Sequence, residues 1–184
     1  MTGDGMKASE PGSREAAGKQ AAARCSDLAA HGIAEGPFYK PGSPERTRLY
    51  EEGIPGERLT LTGHVFDAAC QPVAGAWLDF WQANGKGRYD NAAYTLRGHQ
   101  YTDASGKYVL ETVIPGGYSN RTPHIHVKIR PNSGGRIFTT QLFFPGLASN
   151  KPDFLFDEAM VMELKETPGG KLGAFDFVLG SPAA

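Results

Sequence analysis

Two cysteines in 184 residues, Cys25 and Cys70, are too few for a disulfide-dense scaffold. They form no Cys-x-x-Cys pair of the kind that builds structural zinc sites. No apolar run approaches the roughly 18 residues that a membrane-spanning helix needs. The N-terminal residues hold no apolar stretch of the secretory-signal type, so an exported form is expected to have lost its signal. Neither sign of charge dominates. Against 20 acidic residues stand 19 Lys and Arg, a formal net charge of −1, which leaves no electrostatic footprint for nucleic acid or an anionic membrane surface. Internal repeats, heptads and low-complexity tracts are missing as well.

The chain does have turn formers. With 24 Gly and 13 Pro, many short elements are expected in place of long helices. Hydrophobic residues at 40% and charged residues at 21% suit one globular domain. Residues 1–23 are small, polar and weakly patterned, and read as a flexible or frayed arm with a helical turn at most near Ala21–Ala23. The domain is expected over 24–184. Residues 35–57, dense in Pro and Gly, suit an extended segment wrapped over a scaffold and anchored by Phe38, Tyr39 and Tyr50.

From Arg58 onward the pattern has period two. RLTLTGHVFD sets Leu59, Leu61, Gly63 and Val65 on one face, and AGAWLDFWQA sets Ala76, Leu78 and Phe80 against Trp77, Asp79 and Trp81. KYVLETVI, PHIHVKIR, RIFTTQLFF and KLGAFDFVLG follow, separated by Gly, Pro and Asp turns. Asp157–Lys165 reads as either a strand or a short helix. The expected fold is all-β, a two-sheet β-sandwich with long active-site loops. The stretch from Asn84 to Gln100 reads as irregular and, being long, as functional.

His124 and His126 sit at i and i+2 of one strand, so both imidazoles leave the same face and can meet one metal ion. The plain alternative is a polar strand face continued by Lys128 and Arg130. The zinc-protease helix motif is absent. A site with two histidines and a carboxylate would draw on Glu111, Asp90 or Asp103, none persuasively placed. Tyr118 follows the Pro115-Gly116-Gly117 turn six residues before His124, and Tyr89 follows Gly85-Lys86-Gly87-Arg88. Each tyrosine alone reads as a packing or surface residue. A phenolate needs strong help near neutral pH, because tyrosine titrates near 10; a trivalent cation supplies that help. Two phenolates with two imidazoles would favour Fe(III) over Fe(II).

Five ordered blocks carry a resemblance: Glu35-Gly36-Pro37-Phe38-Tyr39, Cys70–Asp90, Leu96–Tyr118, RTPHIHVKI from Arg121 and TTQLFFPG from Thr139. Over residues 35–146 the chain resembles the intradiol ring-cleavage dioxygenases. The resemblance implies a β-sandwich holding non-haem Fe(III), with Tyr89, Tyr118, His124 and His126 as metal ligands. It implies Tyr118 as ligand and general base in turn, Arg121 beside the substrate ring, and Gln141 as a supporting polar residue. Implied partners are a small aromatic diol and O2, with no organic cofactor, and a muconic-type diacid as product. A homo-oligomer stays open.

The Tyr118–His124 link, SNRTP, is much shorter than in the better-known members, and a long helical N-terminal region is missing. The substrate therefore cannot be copied from them. Arg88, Asp90, Asn91 and Tyr94 are expected at the entrance. Cys25 and Cys70 are read from the residues alone as either two reduced thiols or one disulfide; the resemblance points toward the secreted branch of the family, where such a pair is bonded, and leaves cytoplasmic or exported location open. Two other readings stand beside this one: an Fe(II) or Mn(II) oxygenase using the histidines and a carboxylate, and a non-catalytic transthyretin-like or carbohydrate-binding sandwich.

Overall fold

A computed structural model describes residues 32–180. The expected arm over 1–23 lies outside the described residues, as does Cys25.

Among the described residues nine strands form two sheets. They are β1 (Arg58–Phe66), β2 (Trp77–Trp81), β3 (Arg97–Tyr101), β4 (Lys107–Val113), β5 (His124–Arg130), β6 (Phe138–Phe143), β7 (Glu163–Thr167), β8 (Gly170–Ala174) and β9 (Phe177–Val178). One sheet runs β4-β1-β8-β7 with β9 also beside β1; the other runs β3-β2-β5-β6. The β-sandwich is built as the alternation implies. Leu59, Leu61 and Val65 of β1, Leu110 of β4, Leu78 and Phe80 of β2 and Ile125, Val127 and Ile129 of β5 are all buried in one core.

Glycine settles one close approach inside the first sheet. A Cβ on Gly63 would sit 1.7 Å from the Phe175 carbonyl oxygen. Only a residue without a side chain lets the chain between β8 and β9 cross β1 there. The segment read as one strand, KLGAFDFVLG, is thus divided into β8 and β9, both parallel to β1.

Two expectations need correction. The stretch Asn84–Gln100 is not irregular to its end, because β3 begins at Arg97. Its core-facing positions are Gly98 and Gln100, opposite Phe80 and Leu78, so it lacks the apolar signature of a strand. The missing apolar side chain comes from elsewhere: a Cβ on Gly98 would lie 2.6 Å from Cδ2 of Leu49, which fills that space from another segment. Asp157–Lys165 is both of its alternatives in turn. The Asp157 side chain caps a short 3-10 turn, Glu158–Met160, by accepting from Ala159 N, and β7 follows from Glu163.

The face of the second sheet turned away from the core is covered by a strap, residues 33–50, whose last part, Arg46–Leu49, rounds the β3 edge to reach β4 of the first sheet. Ile33 N donates to Thr139 O at 2.8 Å, Arg46 N to His99 O at 2.8 Å and Leu49 N to Glu111 O at 2.8 Å. Tyr39 Oη and Ser43 Oγ both donate to the Asp79 carboxylate, at 3.1 and 2.7 Å. Lys128 pairs with Glu35 and lies 3.4 Å from the Tyr39 ring centroid. Arg58 lies 3.3 Å from the Tyr50 ring centroid. Phe38, Tyr39 and Tyr50 are anchors, as the sequence suggests. Because of the strap, Asp79, Trp81, His124 and His126 are buried on a face that alternation alone would leave in water.

Candidate metal centre and active site

The centre is assembled from β5 and two glycine-rich turns. His124 and His126 project from β5 under the strap, with Nε2 atoms 3.1 Å apart. Cross-strand pairing sets Phe143 beside His124, and Gln141 and Trp81 on either side of His126. The Trp81 indole stacks on His126 at 4.7 Å, with the planes 7° apart, and fixes the imidazole plane.

Tyr89 stands on the turn after β2. Asn84 Oδ1 accepts from Lys86 N at 2.9 Å and Arg88 N at 3.2 Å, which closes that turn. The Pro-Gly-Gly turn before Tyr118 packs directly against it, with Gly116 N donating to Asn84 O at 2.9 Å. There is no room there for side chains. A Cβ on Gly87 would lie 2.3 Å from Gly117 O, and one on Gly116 2.6 Å from Gly85 O. The glycines are how the fold draws two tyrosines from distant segments together.

The outcome is a closed ring of four donor atoms. Tyr89 Oη is 3.4 Å from Tyr118 Oη, Tyr118 Oη is 3.2 Å from His124 Nε2, and His126 Nε2 is 3.1 Å from Tyr89 Oη. The His124–His126 separation above closes it.

Electrostatics favours neutral imidazoles. Burial pushes His124 down to about 4, partly offset by the Thr122 carbonyl. Burial likewise holds His126 well below the ordinary histidine range, with His124 adding to the effect. His124 Nδ1 lies 2.6 Å from Thr122 O and donates to it, so Nε2 carries the lone pair that faces the cluster. Burial, then the Tyr118 hydrogen bond, holds the Tyr89 phenol far above the ordinary tyrosine range. A phenolate at Tyr89 therefore requires a cation within the ring of donors.

The other expected residues fall into place unevenly. Arg121 donates through Nε to Asp153, 3.0 Å from each carboxylate oxygen, and through Nη2 to Gln141 Oε1. The Gln141 amide nitrogen is 3.3 Å from His126 Nδ1. Arg88 and Asp90 line a cleft of about 400 Å³ with Ile54, Pro55, Leu96 and Tyr89, whereas Asn91 and Tyr94 do not line it. Tyr94 instead donates to Pro41 O at 2.9 Å.

The carboxylate candidates are occupied elsewhere. Asp90 accepts from Ala92 N, Ala93 N and Thr95 N, and hydrogen bonds from Ala93 and Thr95 hold it well below the usual carboxylate range. Asp103 accepts from Ser105 and Lys107 in the turn between β3 and β4. Glu111 lies on β4 in the opposite sheet, paired with Thr60. Among the described residues no group of three or more His, Cys, Asp or Glu is arranged to hold a metal.

Three residues support the site: Phe38, expected from the sequence only as an anchor of the strap, and Arg97 and Asp153, for which the sequence offers no sign. Phe38 stacks on Tyr89 at 4.3 Å and meets Tyr118 edge-on at 5.7 Å. Buried Arg97 donates to Asp90 O through Nε and Nη2, at 3.1 and 2.9 Å, and through Nη1 to Phe38 O, tying the Tyr89 loop to the strap. Asp153, with a fully buried side chain, holds Arg121. A buried Arg or Asp leaves no periodic trace. Cys70 is disulfide-bonded; its expected partner, Cys25, lies outside the described residues.

A family profile described as dioxygenase matches residues 34–166. The chain belongs to the intradiol ring-cleaving dioxygenase family. It is 31% identical over 163 residues to a catechol 1,2-dioxygenase from Acinetobacter baylyi, covering 72% of this chain and 52% of that protein. The chain spans about half the length of the curated relatives it matches. Among solved structures, it is 47% identical to the dioxygenase domain of a dioxygenase carbohydrate-binding protein fusion from the cellulolytic bacterium Streptomyces sp. SirexAA-E. That match has a TM-score of 0.78 and covers 81% of this chain and 96% of that one. Catechol 1,2-dioxygenase from Pseudomonas arvilla is 28% identical, with a TM-score of 0.72 over 92% of this chain and 73% of that one. No helix among the described residues is long and apolar enough to cross a membrane.

Proposed function

We propose that this chain is an Fe(III)-dependent intradiol dioxygenase. It would cleave a catechol-type ring between its hydroxyl-bearing carbons with O2 and give a muconic-type diacid. The observation that carries the reading is the ring of donor atoms, with edges of 3.1–3.4 Å. Protein nitrogen and oxygen ligands bind a small cation at about 2.0–2.2 Å. At that radius, ligands roughly 95–115° apart stand about 3.0–3.5 Å from one another. Tyr89, Tyr118, His124 and His126 thus fit one small cation, and two phenolates select a hard, highly charged one. The two-histidine, one-carboxylate alternative lacks its carboxylate among the described residues. A non-catalytic sandwich gives no reason to gather four such groups under a strap.

When bound, ferric iron would supply Lewis acidity for the diol and one-electron chemistry toward the ring and O2. The chain's own residues do the rest. Tyr118 Oη accepts one of the two diol protons, so this side chain serves as ligand and base in turn. Arg121 has committed Nε and Nη2, while Nη1 has no hydrogen-bond partner among the described residues. That N–H pair is left to stabilise negative charge delocalised onto the ring. Gln141 links the Arg121 guanidinium to His126. Phe38 and Trp81 keep water from the backs of Tyr89 and His126.

The test is spectroscopic and catalytic together. Iron-loaded protein is expected to be red-brown to purple from tyrosinate-to-iron charge transfer, and to consume O2 with a panel of catechols, giving ring-opened diacids by mass. Tyr89→Phe should shift and weaken the colour, and His124→Ala should lose iron and activity together. A colourless, active protein with stoichiometric iron would refute the assignment.

A further inference from the structure

The short link between Tyr118 and His124 is built as a tight reversal. Tyr118 and Arg121 exchange backbone hydrogen bonds at 3.2 and 2.8 Å, and Ser119 takes a left-handed φ of 49° to allow it. Tyr118 and Arg121 therefore stand opposite each other on one minimal hairpin. Nothing inside so short a link holds the Arg121 side chain.

The hold comes from the segment after β6. Asp153 has no exposed side-chain surface and Arg121 only 12%. Both Asp153 oxygens lie 3.0 Å from Arg121 Nε. Oδ2 also accepts from Thr122 N at 2.8 Å, and Oδ1 from Leu155 N at 2.9 Å. Asn150 extends the clamp, its Oδ1 accepting from Thr122 Oγ1 at 2.7 Å and its Nδ2 donating to Phe144 O at 2.9 Å. Each Asp153 oxygen is already engaged twice, so Asp153 has no lone pair left for a substrate.

We propose that Asp153 is a positioning residue for ring cleavage. It fixes the edge of the Arg121 guanidinium so that Nη2 reaches Gln141 and Nη1 faces the bound diol. A planar fork held at Nε by a buried carboxylate and at Nη2 by an amide has no remaining rotation. Without the carboxylate, the guanidinium can swing about its long stem, and the charge meant for the ring is misplaced. The proposal rests on the ferric intradiol reading above, because it needs a diol to be bound beside Arg121.

The experiment is a double-mutant cycle in the iron-loaded full chain with Asp153→Asn, Arg121→Ala and the double variant. Catechol serves as the probe substrate. Three quantities are read: kcat and KM, iron content with the tyrosinate band, and catechol affinity from the anaerobic spectral shift. Asp153→Asn is expected to keep iron and colour while kcat/KM falls about 100-fold, the scale for a group displaced by roughly 1 Å. In the Arg121→Ala background the same change should alter kcat/KM by less than about threefold. A full 100-fold further loss in that background, or unchanged kinetics in Asp153→Asn alone, would overturn the proposal. If Asp153→Asn does not fold, Arg121→Lys tests the same point. Lysine keeps the charge but cannot span Asp153 and Gln141 together, so a loss of kcat with iron and colour intact is expected; full activity would overturn the idea. Wild-type protein that takes up no iron would instead sink the ferric reading, and is told apart at the first measurement.

Discussion

Replacing Gly116 with Ala probes how the centre is assembled without touching any residue that faces it. Gly116 is not at positive φ, so the methyl group acts by volume alone. Its Cβ would lie 2.6 Å from Gly85 O and 2.7 Å from Gly87 N, where ordinary contact begins at 3.4 Å. Both neighbours are backbone and neither can swing aside, so the two turns must part by about 0.8 Å. Overpacking of this kind costs about 1–3 kcal/mol, less than the roughly 5–15 kcal/mol of a typical domain, so the protein should still fold. The donor ring should not survive. Tyr89 Oη and Tyr118 Oη are 3.4 Å apart. Opened by that amount, they would be about 4.2 Å apart, close to twice the usual ligand distance of about 2.0–2.2 Å. One cation would then have to lie nearly in line between them and abandon the histidines. The variant is expected to melt within several degrees of wild type and, on the ferric reading proposed above, to lose most of the iron and tyrosinate absorption of iron-loaded wild type. Calorimetry, metal analysis and a visible spectrum decide the matter. A folded Gly116→Ala protein with full iron and an unchanged band would refute the claim that glycine contact sets the tyrosine spacing.

Asp79→Ala should release the strap by leaving the Tyr39 and Ser43 hydroxyls without their acceptor. At about 1–3 kcal/mol for each of the two orphaned groups, and roughly 2–4 °C per kcal/mol for a chain of this size, a fall in Tm between about 4 and 24 °C is expected, with activity lost as Phe38 leaves Tyr89. Asp79→Asn should be milder and its relative stability pH-dependent. Burial raises the folded-state value of Asp79, although hydrogen bonds from Ser43 and Tyr39 oppose this. The folded state thus holds the proton more tightly, and the stability this contributes is present at low pH and lost as pH rises through the raised value. Melting scans from about pH 4 upward should show wild type losing ground to Asp79→Asn; a gap that widens the other way would contradict this. Cys70→Ser removes a disulfide, and for a loop closed to Cys25 the chain-entropy estimate is about 4 kcal/mol. Thermal melting of the variant, and of wild type with and without reductant, should show the same drop, and an unchanged Tm would count against it.

The fold was legible where apolar residues recur at every second position of a strand. On β1, β2 and β5 the residues expected inside are inside. Legibility failed where another segment supplies what a strand lacks. β3 presents Gly98 and Gln100 inward because Leu49 of the strap occupies the space. No window on residues 97–101 contains that information. The burial of Asp79 and Trp81 was hidden for the same reason, since period two marks a face as opposite to the core and says nothing of what covers it.

The clustering of the four side chains was legible only through the family resemblance, and their support was not legible at all. By residue type alone the two histidines at strand spacing hinted at a metal, while each tyrosine, preceded by glycines, read as a packing or surface residue. The glycines were read as turn formers, yet their positions do more than reverse the chain. Gly87 packs on Gly117 and Gly116 on Gly85 across the two turns at distances that admit only backbone, while a Cβ on Gly85 would meet Gly56 and one on Gly117 would meet Arg121 O. Tyr89 and Tyr118 are 29 residues apart in sequence and 3.4 Å apart in space. A β-sandwich loop seldom holds a side chain to a few tenths of an ångström by itself, because loops give way more easily than strands. Here the loops inherit precision from backbone contact, from a stacked Phe38 and from buried Arg97, while Arg121 inherits it from Asp153. The positions most sensitive to a small volume change should therefore be those that carry no chemistry at all.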